Sequence, residues 1–155
     1  MAAGSGLTAT ADTSITNTIV GASSGYSSPT VNGLYCGLYT NNMTASTKSP
    51  TTGVEWLVAS DGAYARQKMG SVSPFGWTIA AYANGTGVVW NNTSAVTQPA
   101  VTLNAQTVGS FGWNDAAGPT GGNVNMFADM GTPAAVPIGV QVILPAATGV
   151  VFTTY

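Results

Sequence analysis

Short apolar segments separated by turn-forming residues recur along most of the chain. Residues 101–106 show the pattern clearly, because apolar and polar residues alternate and Val101, Leu103 and Ala105 are predicted to share one face. This period of two is typical of a strand with one buried face, and residues 140–144 repeat it. No run of ten or more residues shows a period of 3.6 with helix-capping residues at its ends. The pattern therefore predicts strands.

The segments between turn signals are candidate strands. Dipeptides such as Asp61-Gly62, Asn84-Gly85 and Gly121-Gly122 separate them and are typical of tight turns. The candidates are residues 14–20, 34–40, 54–60, 64–69, 75–82, 88–91, 101–106, 110–113, 123–127, 140–144 and 150–154. About ten short strands at this spacing favour an all-β fold, a single antiparallel β-sandwich of jelly-roll or immunoglobulin-like topology.

The first residues differ from the rest of the chain. Residues 1–13 are small and polar, so they have little apolar surface to bury, and we expect a flexible N-terminal arm. Such an arm could add to the sheet edge of a neighbouring molecule or lie in a groove. Residues 14–155 contain neither an internal repeat nor a long linker, which predicts a single β-sandwich domain.

Charge is scarce and excludes several functions. The 155 residues include 3 Lys and Arg, 5 Asp and Glu, and no His, whereas an ordinary soluble domain is about 25% charged. The absence of histidine removes every mechanism based on an imidazole, and so few basic residues argue against nucleic-acid binding. The most apolar stretch, residues 138–152, is shorter than the roughly 20 residues that a membrane-spanning helix needs and contains Pro145. We expect neither a nucleic-acid partner nor a membrane span.

The few candidate nucleophiles and acids have simple structural explanations. Cys36 lies in an apolar segment without a neighbouring cation, which favours a small buried side chain. The chain has enough carboxylates to supply a glycosidase pair such as Asp115 and Asp129, but catalysis would require a particular distance between the two carboxyl groups. Asp61 and Asp115 precede small residues at turns, where a carboxylate typically accepts hydrogen bonds from local backbone amides. We expect no catalytic, cofactor-binding or metal-binding residue, and therefore no enzyme.

Arg66 allows two interpretations. With Lys68 on the same face of a strand it could bind an anionic partner, or it could form a structural ion pair with Glu55 or Asp61, which we favour because Arg suits bidentate pairing. The tryptophans could stack on sugars, but each lies in a predicted strand, which favours a place in the core or an interface. They are Trp56, Trp77, Trp90 and Trp113.

The composition also predicts an unusual surface. If the large apolar side chains form the core, then Thr, Ser, Asn, Gln, Gly and Ala must cover the outside. Such a surface gives little repulsion between copies and loses little ion hydration when it is covered. It also lacks the charges that keep free sheet edges apart. We therefore expect a subunit of an assembly, and a homo-oligomer.

Three segments carry a resemblance to known proteins: residues 33–40 (GLYCGLYT), residues 61–67 (DGAYARQ), and residues 108–117 (VGSFGWNDAA) followed by GGN at 121–123. In this order they resemble a family of small virion proteins of tailed bacteriophages. Residues 106–109 and 138–140 depart from the family pattern. The resemblance implies a β-sandwich structural protein of the particle, either a capsid decoration (cement) protein or a protein labelled tail fibre. It carries over one charged residue, Arg66, in a structural role.

Three functions follow for comparison. The first is a capsid cement protein, made in the host cytoplasm, that binds the major capsid protein and copies of itself on the outer surface of the virion. The alternative is a tail-fibre or host-adsorption module that binds a glycan, although the chain has no repetitive shaft or coiled-coil segment. The third, a small glycan-cleaving enzyme, would require Asp115, Asp129 or Glu55 to be catalytic.

Overall fold

The computed structural model describes residues 5–7, 34–43, 54–56, 61–69, 77–81, 88–119, 121–147 and 149–152. Over these residues the regular structure consists of strands, without a helix, and every strand pairing is antiparallel. The predicted all-β antiparallel fold is thus confirmed. No helix in this part of the chain is long and apolar enough to cross a membrane. The predicted strand at residues 14–20 lies outside the described residues.

The strands form three sheets. In chain order the strands are β1 (Ser5–Leu7), β2 (Tyr35–Tyr39), β3 (Gln67–Lys68), β4 (Trp77–Ala81), β5 (Val88–Asn92), β6 (Val96–Thr97), β7 (Gln106–Asn114), β8 (Val124–Val136), β9 (Ile143–Leu144) and β10 (Gly149–Phe152). The largest sheet has the order β1-β8-β7-β2-β3, a second has the order β10-β5-β4, and β6 pairs with β9. β1 comes from the segment for which an arm was expected, and it pairs with the outer edge of β8.

Both faces of the large sheet are buried. Cys36 and Leu38, alternate residues of β2, point into two adjoining apolar clusters, whereas Tyr39 belongs to a third cluster with Met43 and Phe127. Successive side chains of a strand point to opposite faces. This double burial explains why β2 reads as an almost continuous apolar run instead of an alternating one.

The strand predicted at residues 101–106 is wrong. Val101 is 1% exposed, as expected, but Leu103 is 53% exposed and Ala105 is exposed as well. Extended pairing ends after Val101 because the backbone N–H of Thr102 donates to a carboxylate oxygen of Asp61 at 2.6 Å and not to a neighbouring strand. The next strand begins only at Gln106, the first residue of β7.

Other predicted strands need new boundaries. β8 is far longer than the strand predicted at residues 123–127. Gly131 and Pro133 resemble strand breakers, but they lie in a bulge between the pairs Ser110–Asp129 and Val108–Ala134, so the strand continues past them. Gly131, in this bulge, has a φ of 79°, a conformation that glycine adopts without steric cost. The predicted strands at 64–69 and 140–144 shorten to β3 and β9. Of the strand predicted at 54–60, the described residues 54–56 contribute one bridge, between Glu55 and Tyr39.

Candidate functional site

Arg66 and Glu55 form a buried ion pair at one end of the large sheet. Nε of Arg66 donates to Oε1 of Glu55 at 2.7 Å, and an Nη atom donates to Oε2 at 2.6 Å. The two side chains are 4% and 8% exposed. This two-bond geometry is the strong form of the Arg–carboxylate contact. The predicted structural ion pair is confirmed, with Glu55 and not Asp61 as the partner, and because Arg66 is buried the predicted patch with Lys68 does not form.

The other side of the Arg66 guanidinium holds the loop between β7 and β8. Residues 115–119 and 121–123 are the described part of this loop, which we term the anchored loop, and three of their backbone carbonyls face the guanidinium. Nη1 of Arg66 donates to the carbonyls of Ala116 and Gly121 at 2.7 and 2.8 Å, and Nη2 lies 3.4 Å from the carbonyl of Pro119. One side chain therefore fixes three points of the loop, which a Lys ammonium could not do with the same planar geometry.

Asp115 closes the same loop from within. Its carboxylate accepts hydrogen bonds from the backbone N–H of Asn123 at 2.6 Å and from the Asn123 side-chain amide at 3.1 Å. Gly122 has a φ of 72°, and a Cβ atom there would collide with the Asp115 carboxylate. The predicted role of Asp115 in binding loop amides is confirmed, and glycine is required at position 122 by space as well as by backbone conformation.

Two tyrosines complete the surroundings of the ion pair. The hydroxyl of Tyr64 donates to Glu55 at 2.8 Å and accepts from the backbone N–H of Leu38, and the hydroxyl of Tyr39 donates to Asn114 at 2.8 Å. Burial raises the pKa of both phenols, and the charge of Glu55 raises it further. Burial alone would lower the pKa of Arg66, but hydrogen bonding and charge from Glu55 more than offset this and raise it. Both phenols stay neutral and the guanidinium stays charged.

Asp61 and Asp129 each fasten one chain segment to another. Asp61 accepts from the backbone N–H and the hydroxyl of Thr102 at 2.6 and 3.0 Å. The expectation of a local amide partner for Asp61 is therefore wrong, because Thr102 is distant in sequence. Asp129 accepts from the backbone N–H of Met43 at 2.7 Å, and burial raises the pKa of its carboxyl to about 6.

The carboxylates do not form a hydrolytic pair. Asp129 pairs with Ser110 in the β7–β8 ladder, whereas Asp115 follows the end of β7. At about 3.3 Å per residue along a strand, roughly 16 Å separate the two positions, whereas a glycosidase pair needs about 5–10 Å. Glu55, the third candidate, has both carboxylate oxygens bound to Arg66.

Cys36, Trp56 and Trp113 are parts of the core. Cys36 is fully buried, and burial raises the pKa of its thiol to about 12, so the nucleophilic thiolate does not form near neutral pH. Trp56 and Trp113 are 2% and 1% exposed, as predicted, and Trp77 and Trp90 lie in β4 and β5. Within the described residues no three His, Cys, Asp or Glu side chains are grouped so that they could hold a metal ion.

Sequence reasoning missed the residues around the ion pair. Tyr39, Tyr64 and Asn114 were not singled out, because a tyrosine in an apolar strand has the pattern of an ordinary core residue. Gly37, a glycine inside an apolar strand, is the residue that could have indicated the site. A Cβ atom there would lie 2.9 Å from Glu55 and 3.0 Å from Asn114. A glycine inside a strand often marks such a close approach.

The charged groups of the site neutralise one another and hold a loop in place, and this matches the structural role that the resemblance to phage virion proteins implies for Arg66. Residues 6–151 match the model of the family described as podophage GP4 fiber I protein gp80. The chain therefore belongs to this family of phage fibre proteins and is a structural component of a phage virion. A search of curated proteins found no match.

The burial of Asp129 predicts a pH-dependent stability. Its folded pKa of about 6 exceeds the ordinary value of 3.8, so the folded state binds the proton more tightly. The resulting stabilisation is fully present below about pH 4 and is lost as the pH rises through about 6. Asp129→Asn, which is neutral at every pH, should raise the free energy of unfolding at pH 7 by about 2 kcal/mol. Urea unfolding from pH 4 to 7 tests this, and an equal pH dependence in both proteins would contradict it.

Proposed function

We propose that this protein is a non-enzymatic building block of a phage tail fibre. The observation that carries the proposal is the match of residues 6–151 to a family whose description names a fibre protein. Of the functions compared above, this favours the tail-fibre alternative over capsid decoration. The absence of a repetitive shaft is compatible with it, since a globular β domain can form one segment of a longer fibre.

The contacts of the charged side chains support the non-enzymatic part. Glu55 and Arg66 neutralise each other, Asp61 and Asp129 bind backbone N–H groups of other segments, and Asp115 closes the anchored loop. General acid–base catalysis needs a carboxyl or imidazole within reach of a substrate proton. These carboxylates instead bind groups of the protein itself, so each is occupied in holding the fold together.

Four aromatic side chains in the described part of the chain favour a structural segment over a glycan-binding tip. A sugar-binding platform requires an exposed ring face. Trp56 and Trp113 are buried, and the indole N–H of Trp56 donates to the carbonyl of Thr107 at 2.8 Å. Tyr39 and Tyr64 are buried as well. The large aromatic rings at these four positions are thus core material.

Location and copy number on the particle test the proposal. We expect gold-labelled antibodies against this protein to mark the tail, and quantitative mass spectrometry to count few copies relative to the major capsid protein. An antibody against the major capsid protein provides the control for labelling of the head. Uniform labelling of the head with hundreds of copies would overturn the fibre assignment in favour of a cement protein. Release of sugars from host surface polysaccharide by the purified protein would overturn the non-enzymatic part.

A further inference from the structure

A two-stranded ribbon covers one side of the apolar core. Residues 96–103 and 138–144, which we term the outer ribbon, pair through β6 and β9 and continue beyond them. The backbone N–H of Gln98 donates to the carbonyl of Val142 at 2.9 Å, and that of Val101 donates to the carbonyl of Val140 at 3.1 Å. The two segments are thus paired as far as Val101 and Val140, although only β6 and β9 are regular strand, and Leu103, Ile138 and Gly139 lie in the bend and the turn at the far end of the ribbon.

The inner face of the outer ribbon is firmly attached. Val96 and Leu144 pack into one apolar cluster and Val101 into the next. The Gln98 side-chain amide donates to the carbonyl of Cys36 at 3.1 Å in β2. At the far end, Asp61 binds the backbone N–H and the hydroxyl of Thr102. The position of the ribbon is therefore fixed by both packing and hydrogen bonds.

The solvent-exposed side chains of the ribbon, which we term its outer face, include four large apolar ones beside the polar Thr97, Thr102 and Gln141. Leu103, Ile138, Val140 and Ile143 are 53%, 58%, 44% and 53% exposed. Single exposed aliphatic side chains are ordinary on protein surfaces, but several on one small element are typical of an interaction site. Four of the six large apolar side chains that are exposed among the described residues lie on this ribbon. They mark it as a surface that is covered in the assembled state.

Charge selects the kind of partner. Residues 96–108 and 130–147 contain no Asp, Glu, Lys or Arg. A partner that placed charged groups on this face would lose their hydration without gaining an ion pair. The chain itself provides a matching surface, because it has only eight charged residues and the side chains of four of them, Glu55, Asp61, Arg66 and Asp129, are buried.

We infer that the outer ribbon is the contact through which copies of this chain pack against one another. The inference rests on the proposed function, because a fibre is built of repeated subunits, and it adds to that function the surface involved. The exposed aliphatic side chains of one copy would pack on the same neutral face of the next. Association would then depend on apolar burial and would change little with salt concentration.

A charge on the outer face should break the contact. Ile143→Asp places an unpaired carboxylate on the face. Val54→Asp is the matched control, because Val54 is 59% exposed but lies outside the ribbon. We expect sedimentation analysis to show oligomers for the natural protein and for Val54→Asp, with association at least about tenfold weaker for Ile143→Asp, equivalent to 1.4 kcal/mol. A far-UV circular dichroism spectrum equal to that of the natural protein would show that the variant remains folded.

Four results would overturn the inference. Equal association of all three proteins would show that another surface makes the contact. A natural protein that is monomeric at high concentration would exclude self-association. A lower thermal midpoint for Ile143→Asp, with mass unchanged, would show that the chain itself covers the face. Binding of a monomeric natural protein, but not of Ile143→Asp, to another virion protein would assign the face to that protein. None of these results affects the antibody labelling that tests the fibre assignment, so the two can fail separately.

Discussion

Replacing Arg66 by Met should lower the free energy of unfolding by about 3–5 kcal/mol, the typical result of removing one partner of a buried ion pair. The methionine keeps much of the apolar stem but leaves the Glu55 carboxylate buried without its cation. It also leaves the carbonyls of Ala116 and Gly121 without their donor. Urea denaturation followed by tryptophan fluorescence measures the effect.

The control for this substitution lies two residues away. Lys68 carries the same charge but is exposed, so Lys68→Met should change stability by less than about 0.5 kcal/mol. Glu55→Gln alone should also be destabilising, whereas the double variant Arg66→Met, Glu55→Gln should lose less than the sum of the two. Strictly additive losses would show that the pair does not act as a unit.

Gly109→Ala should lower stability by about 3 kcal/mol, at the upper end of the range for overpacking. A Cβ atom at Gly109 would lie 2.6 Å from the backbone carbonyl carbon of Asn41 and 2.8 Å from its Cα. Backbone atoms cannot rotate away as a side chain can, so the segment at residues 41–43 must move. That movement would strain two hydrogen bonds, from the Ser110 hydroxyl to the Asn41 carbonyl and from the Met43 N–H to Asp129.

Gly118→Ala is the matched control, because no atom lies within 4 Å of the added Cβ at that position. It should leave stability unchanged or raise it slightly, since alanine restricts the unfolded chain. Thermal unfolding of the two variants under one condition compares them directly. If Gly109→Ala were as stable as Gly118→Ala, the close contact between β7 and residues 41–43 would be absent.

The sequence pattern predicted the fold class because strands have local signals, and it predicted the ion pair because few partners were possible. Turn dipeptides and apolar segments at short intervals indicate strands wherever they pair, and Arg66 has few possible partners in a chain with five carboxylates. The family resemblance, which includes the Tyr-Ala-Arg-Gln element, also led to the correct class, a structural protein of the phage virion.

The errors arose where distant residues decide the local structure. Residues 101–106 alternate well, but the Asp61 carboxylate takes the N–H of Thr102 and ends the extended pairing there. β8 contains Gly131 and Pro133, which resemble breakers, and a bulge opposite Gly109 accommodates them. The partners of Arg66 in the anchored loop are backbone carbonyls, which every residue possesses, so no side-chain pattern could reveal them.

Most charged side chains of this domain that form contacts are buried, so the stability of the domain outside the host depends little on salt. Dissolved ions screen exposed charges that are far apart, and they affect a tightly bound, buried pair much less. Glu55 and Arg66 are sealed from solvent, and Asp61 and Asp129 are also buried. Changes in ionic strength would therefore alter few of these contacts, and the fold should persist from fresh water to seawater.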